Sequence, residues 1–120
     1  MLTQICEEEI DELETNFTQN LLRPTVFFDR DGTLNKDIHY PHKIEDLLLI
    51  SGAAKTVRRF CNLGYLTVII TNQSGIARGL FDTDALNKFN KALCTALSIE
   101  GARIDLILHC PHHPDFSGLC

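Results

Sequence analysis

No stretch of this 120-residue chain approaches the length of an apolar membrane span, and its first 22 residues contain no lysine or arginine. The first lack excludes a transmembrane helix. The second excludes the basic start of a secretory signal peptide. Six acidic residues lie between Met1 and Leu22, whereas from Arg23 onward eleven basic residues face ten acidic ones. The body is therefore close to neutral and carries no basic surplus of the kind a general nucleic-acid binder needs. The five cysteines, Cys6, Cys61, Cys94, Cys110 and Cys120, are odd in number and unevenly spaced. They are not a disulfide framework, and the expected compartment is the cytoplasm. Internal repeats and low-complexity segments are also missing. The length allows one domain, small for an enzyme.

Apolar periodicity supplies the elements. Ile5, Ile10, Leu13, Phe17 and Leu21 predict an amphipathic helix over residues 3–22, ended by Arg23-Pro24. Thr25 to Asp29 is a continuous apolar run expected to be a strand covered on both faces. A helix opens at Ser51-Gly52, carries Ala54, Val57, Phe60 and Cys61 on one side, and closes at Gly64. Leu66 to Ile70 is a second strand. A helix capped by Asp82 or Thr83 follows, with Leu86, Phe89, Leu93 and Leu97 on one stripe. Ile104 to Leu108 is a third strand. That alternation predicts an α/β fold with a Rossmann-like parallel sheet and helices on both faces. Cys61 and Cys94, inside helical stretches, read as core thiols.

All three strands end in polar chemistry: Asp29-Arg30-Asp31-Gly32-Thr33, Thr71-Asn72-Gln73-Ser74-Gly75, and His109-Cys110-Pro111-His112-His113. In open parallel sheets, ligands bind beyond the carboxyl ends of the strands. Residues i and i+2 of an extended segment point the same way, so Asp29 and Asp31 can converge. Two such carboxylates need a cation or proton between them, and Mg²⁺ suits. One carboxylate can then attack phosphorus while the other protonates the leaving alkoxide. Other readings of these residues are weaker. Asp-Gly is a common turn. A calcium loop fails on spacing, because residues 34 and 40 are Leu34 and Tyr40 where Gly and Glu are required. Gly75 and Gly79 are not followed by the Lys of a P-loop.

DRDGTLN after one strand, TNQSGIARG after the next and CPHHP after the third together resemble the haloacid dehalogenase (HAD) superfamily of phosphatases. The resemblance covers residues 25–120 and is strongest to its zinc-containing subgroup, which takes in heptose bisphosphate and histidinol phosphatases. NQSGIARG favours the heptose bisphosphate members. The resemblance implies a HAD-like domain over 25–120, preceded by an acidic helical extension over 1–24. It implies Asp29 as nucleophile, Asp31 as proton donor, and Thr71 as the residue steadying the phosphoryl group. Substrate contacts fall on Asp29, Arg30, Asp31, Asp37, Ile38, His39, Tyr40, Thr71, Asn72, Gln73 and Ser74. Mg²⁺ falls on Asp29 and Asp31, and a structural zinc on Cys110, His112 and Cys120, with His113 a substitute. His39 departs from the family, which usually has Gly before the Tyr. The family's further zinc Cys, Arg-Lys-Pro segment and later Asp residues have no counterpart in these 120 residues, so a C-terminally truncated product or a fragment of a longer one is expected. The implied partner is a small sugar phosphate, with no nucleic acid and no membrane, bound by a monomer. The alternatives are a histidinol-phosphatase or a non-catalytic remnant.

Overall fold

The computed structural model describes Leu2–Gln4 and residues 23–118. Four strands form one sheet: β1 (Leu2–Gln4), β2 (Thr25–Phe28), β3 (Leu66–Asn72) and β4 (Leu106–Cys110), in the order β1-β4-β3-β2. β2, β3 and β4 are parallel, and β1 pairs antiparallel with β4. Helix α1 (Ala53–Asn62) joins β2 to β3, and α2 (Thr83–Ile99) joins β3 to β4. This is the α/β fold that the alternation predicts. Thr3 and Gln4, expected in a helix, lie instead in β1. The rest of that predicted helix falls outside the described residues.

Register sets which residues share a face. Phe28 is opposite Ile69, and Ile69 is opposite Ile107. These three form one core with Ala53, Ala54 and Val57 of α1 and Leu93 and Leu97 of α2. Both described helices therefore pack on the same face. The strand order advances one way, β2 to β3 to β4, and two right-handed crossovers in one direction put both helices on one side. On the opposite face Leu66 and Val68 are buried, but Phe27 is 60% exposed and Ile70 40% exposed, so Phe27 in the run over Thr25–Asp29 is not covered as expected.

Local chemistry explains the element ends. Asp82 caps α2 by accepting a hydrogen bond from the Ala85 amide at 2.8 Å. β4 starts two residues later than predicted because Asp105 replaces a strand contact with its side chain. Its carboxylate accepts from the Thr67 amide at 2.8 Å and from Arg103 Nε at 2.8 Å. Cys61 is a free thiol, half-buried against the core, and its sulfur meets the Arg103 carbonyl at 3.3 Å. Cys94 and Cys110 are each in a disulfide, contrary to the expectation that the cysteines stay reduced.

His109 sits on the helix-covered face, opposite Thr71, and is buried with neither ring nitrogen hydrogen-bonded. Burial pushes its pKa down, and the nearby Arg30 charge adds to the effect. The unfolded imidazole titrates near about pH 6.5 and takes up its proton first. The stability from neutral His109 is thus complete above that pH and is lost as pH falls below it. The urea midpoint of the chain is expected to drop between pH 7.5 and pH 5.5. His109→Leu should flatten that decline, and an unchanged slope would remove His109 as its cause.

Candidate active site

The sheet's carboxyl edge holds a cavity of about 370 Å³. Asp29 and Asp31 enter it from the end of β2, Thr71, Asn72 and Gln73 from the end of β3, and Asp37, His39 and Tyr40 from the loop after the Asp pair. Eight residues expected to touch substrate thus converge. Arg30, Ile38 and Ser74 do not line the cavity.

The chain turns here by wrapping on one carbonyl. Arg30 O accepts the amides of Thr33, Leu34 and Asn35 at 3.2, 2.9 and 3.3 Å. Gly32, at φ 87°, supplies the left-handed residue this turn requires. Buried Leu34 pins the loop to the core. The two aspartates end in different settings. Asp29 is exposed; its Oδ1 accepts from the Arg30 amide at 2.8 Å, and Oδ2 has no partner among the described residues. Asp31 is saturated. Its Oδ1 accepts from Arg30 Nε at 2.8 Å and Asn35 Nδ2 at 3.0 Å, and its Oδ2 from Arg30 Nη2 at 3.1 Å and Gln73 Nε2 at 3.2 Å. Four donors fill the acceptor sites of a carboxylate, so this is its ionised form.

Arg30 is placed differently from its neighbours: its side chain is fully buried and does not line the cavity. Gln73 is buried and also donates to Thr71 Oγ1 at 3.0 Å, which fixes the hydroxyl beside the aspartates. Asn35 and Asn90 also hold the Asp31 network, yet neither stands out in sequence. Asn35 lies in the DRDGTLN stretch, a cue to its role. Asn90 gives only the faint signal of a polar residue beside the apolar stripe of α2.

The loop over residues 37–42 carries strain. His39 and Tyr40 both have positive φ, at 66° and 58°. His39 stands where the family usually has Gly, which adopts that conformation freely. The Asp37 carboxylate accepts from the His39 amide at 3.2 Å. Further on, the amides of Lys43 and His42 hold the Asp46 carboxyl below its usual range. The His42 ring stacks on Phe81 with centroids 4.9 Å apart.

A two-carboxylate site suits Mg²⁺, which takes one or two carboxylates and keeps water for the rest. Among the described lining residues are three carboxylates and no Lys or Arg, so an anionic substrate needs a bound cation here. The expected zinc set does not fit. Cys110 is in a disulfide, His112 is exposed, and Cys120 falls outside the described residues. His113 is engaged elsewhere, with Nε2 3.2 Å from Arg78 Nη2. Among the described residues no three His, Cys, Asp or Glu side chains gather as a metal site. None of the described helices is long and apolar enough to cross a membrane.

No family model matches the chain. It is 44% identical over 92 residues to the D-glycero-beta-D-manno-heptose-1,7-bisphosphate 7-phosphatase of Photorhabdus laumondii, covering 77% of this chain and 49% of that protein. It is 39% identical over 97 residues to the enzyme of the same name from Pasteurella multocida, covering 81% of this chain and 53% of that one. The crystal structure of D,D-heptose 1,7-bisphosphate phosphatase from B. bronchiseptica, complexed with magnesium and phosphate, matches with a TM-score of 0.72 at 35% identity. That match covers 77% of this chain and 52% of the other. The chain spans about half the length of the curated relatives it matches. Sequence and fold together define a HAD-like phosphatase fold. Within that class the chain is similar to proteins named heptose-1,7-bisphosphate 7-phosphatases.

Gly75, in the loop after β3, packs against Phe81. A Cβ there would lie 2.2 Å from Phe81 Cε1, in the ring that stacks on His42. Gly75→Ala must displace that ring, an overpacking cost of about 1–3 kcal/mol. Denaturant unfolding is expected to show that loss, and full wild-type stability would mean the contact yields freely.

Proposed function

We propose that residues 25–120 carry the nucleophile-bearing part of a phosphatase acting on a sugar phosphate, with the 7-phosphate of D-glycero-beta-D-manno-heptose 1,7-bisphosphate as substrate. The carrying observation is that Asp29 and Asp31 share one cavity with Thr71 and Gln73 at the carboxyl ends of adjacent parallel strands. The phosphatase unit takes β1 (Leu2–Gln4) as an edge strand of its sheet, and the protein works as a monomer.

In this reading Asp29, with an oxygen uncommitted, attacks phosphorus. The Asp29–phosphorus bond forms as the ester P–O bond breaks, and the sugar alkoxide leaves with a proton from Asp31. Water then attacks the aspartyl-phosphate, Asp31 takes its proton, and inorganic phosphate departs with Asp29 restored. Before the first step Asp31 must carry a proton, so it must give up one of its four donors. The Gln73 amide is the most readily exchanged, because rotating it offers an acceptor to a protonated Asp31. Thr71 holds the transferring group in line. Asp29, through its uncommitted oxygen, and Asp31, through an intervening water, would hold Mg²⁺, which when bound would neutralise charge on the phosphoryl oxygens. The NQSGIARG stretch supports the heptose substrate over histidinol phosphate.

Asp29→Asn is expected to abolish both turnover and formation of a phosphoenzyme. Asp31→Asn should slow the reaction by on the order of a hundredfold or more, the usual worth of a general acid. Steady-state assays with Mg²⁺ on the heptose bisphosphate and on histidinol phosphate check substrate choice through kcat/KM. Retained activity in Asp29→Asn would overturn the nucleophile, and a preference for histidinol phosphate would overturn the substrate.

A further inference from the structure

Arg30 is a cation with no water around it. Its guanidinium forks onto both oxygens of Asp31, at 2.8 and 3.1 Å, and Nη1 donates to Asn90 Oδ1 at 3.0 Å. Nη2 also donates to the Pro41 carbonyl at 3.2 Å. One face of the group lies over the Phe89 ring, 4.5 Å from its centroid. Four of its five N–H groups are thereby assigned to acceptors from three segments of chain.

Such an arrangement is a poor device for stability alone. Desolvating a buried ion pair costs as much as its attraction returns, and well-packed apolar replacements are often as stable. What the fork provides is geometry. A guanidinium is rigid and planar, and a bidentate contact makes its plane and that of the carboxylate move together. Phe89 fixes the tilt of the plane through its face, and Asn90 fixes rotation within the plane through Nη1. Neither residue lines the cavity.

We propose that Phe89 and Asn90 of α2 are positioning residues for Asp31, acting through the buried guanidinium of Arg30. The inference rests on the phosphatase reading for its kinetic consequence, and on geometry alone for the linkage. A proton donor works only within hydrogen-bond reach of the leaving oxygen, so a small tilt of the carboxylate costs rate when that oxygen needs a proton. It costs little when the leaving group departs unprotonated. Loss of positioning and loss of general fold quality therefore differ in their dependence on the leaving group.

Two measurements test the proposal on the full chain. The first is a double-mutant cycle in urea unfolding with Asn90→Ala and Asp31→Asn, two residues joined through Arg30. A coupling of about threefold or more in the unfolding constant is expected, and additivity would overturn the linkage. The second compares heptose 1,7-bisphosphate with p-nitrophenyl phosphate. In Asn90→Ala, kcat should fall about tenfold or more on the sugar ester and less than about threefold on the aryl ester, the bias that Asp31→Asn shows more strongly. Equal loss on both esters would overturn the positioning role. If the wild-type chain turns over neither ester, the phosphatase reading fails for this chain, and the unfolding cycle decides the linkage by itself.

Discussion

The ion pair between Arg30 and Asp31 is the constraint around which the site is arranged. A fully buried guanidinium must find acceptors, because an unpaired charge in the interior costs several kcal/mol. Here the acceptors come from the loop after β2, from the loop before the 3₁₀ turn at Ile44–Asp46, and from the middle of α2. Satisfying one side chain therefore brings three separate segments to fixed positions. Asn90 lies 60 residues along the chain from Arg30, so the acid loop cannot reach its final form until α2 has docked. The site is thereby coupled to the core and has little freedom to open alone.

The same pairing governs the cavity's electrostatics. Arg30 spends its charge on Asp31 and offers none to a ligand. Asp29 and Asp37 remain as exposed carboxylates at the mouth, and the described lining contributes no basic side chain against them. A phosphate ester approaching such a surface is repelled unless a cation is taken up with it. Metal dependence, in this reading, follows from where one arginine points.

Much of this was legible in the sequence. Strands and helices follow from apolar periodicity, because burial in this fold obeys the periods of the elements. The Asp29–Asp31 spacing and the polar ends of β2 and β3 marked the cavity, since a parallel sheet gathers its carboxyl ends on one edge. The inward turn of Arg30 was not legible. In a polar loop nothing local tells a cation facing solvent from one facing a distant Asn, and Asn90 is interpretable only after α2 has docked. The exposure of Phe27 was missed for a related reason, since a continuous apolar run reports strand and not which face is covered. The bonded state of Cys94 and Cys110 was also hidden, because spacing says nothing about which sulfurs meet in space.

The paired left-handed residues His39 and Tyr40 restrict what evolution can try at the cavity mouth. A backbone held at positive φ admits Gly readily, Asn, Asp and His with modest strain, and β-branched residues hardly at all. Substitution at these two positions is filtered by the turn before any ligand is consulted. The repertoire of side chains that can present themselves to a substrate from this loop is accordingly narrow. Variation in substrate preference would have to arise on the other wall, where Asn72 ends a regular strand and meets no such backbone filter.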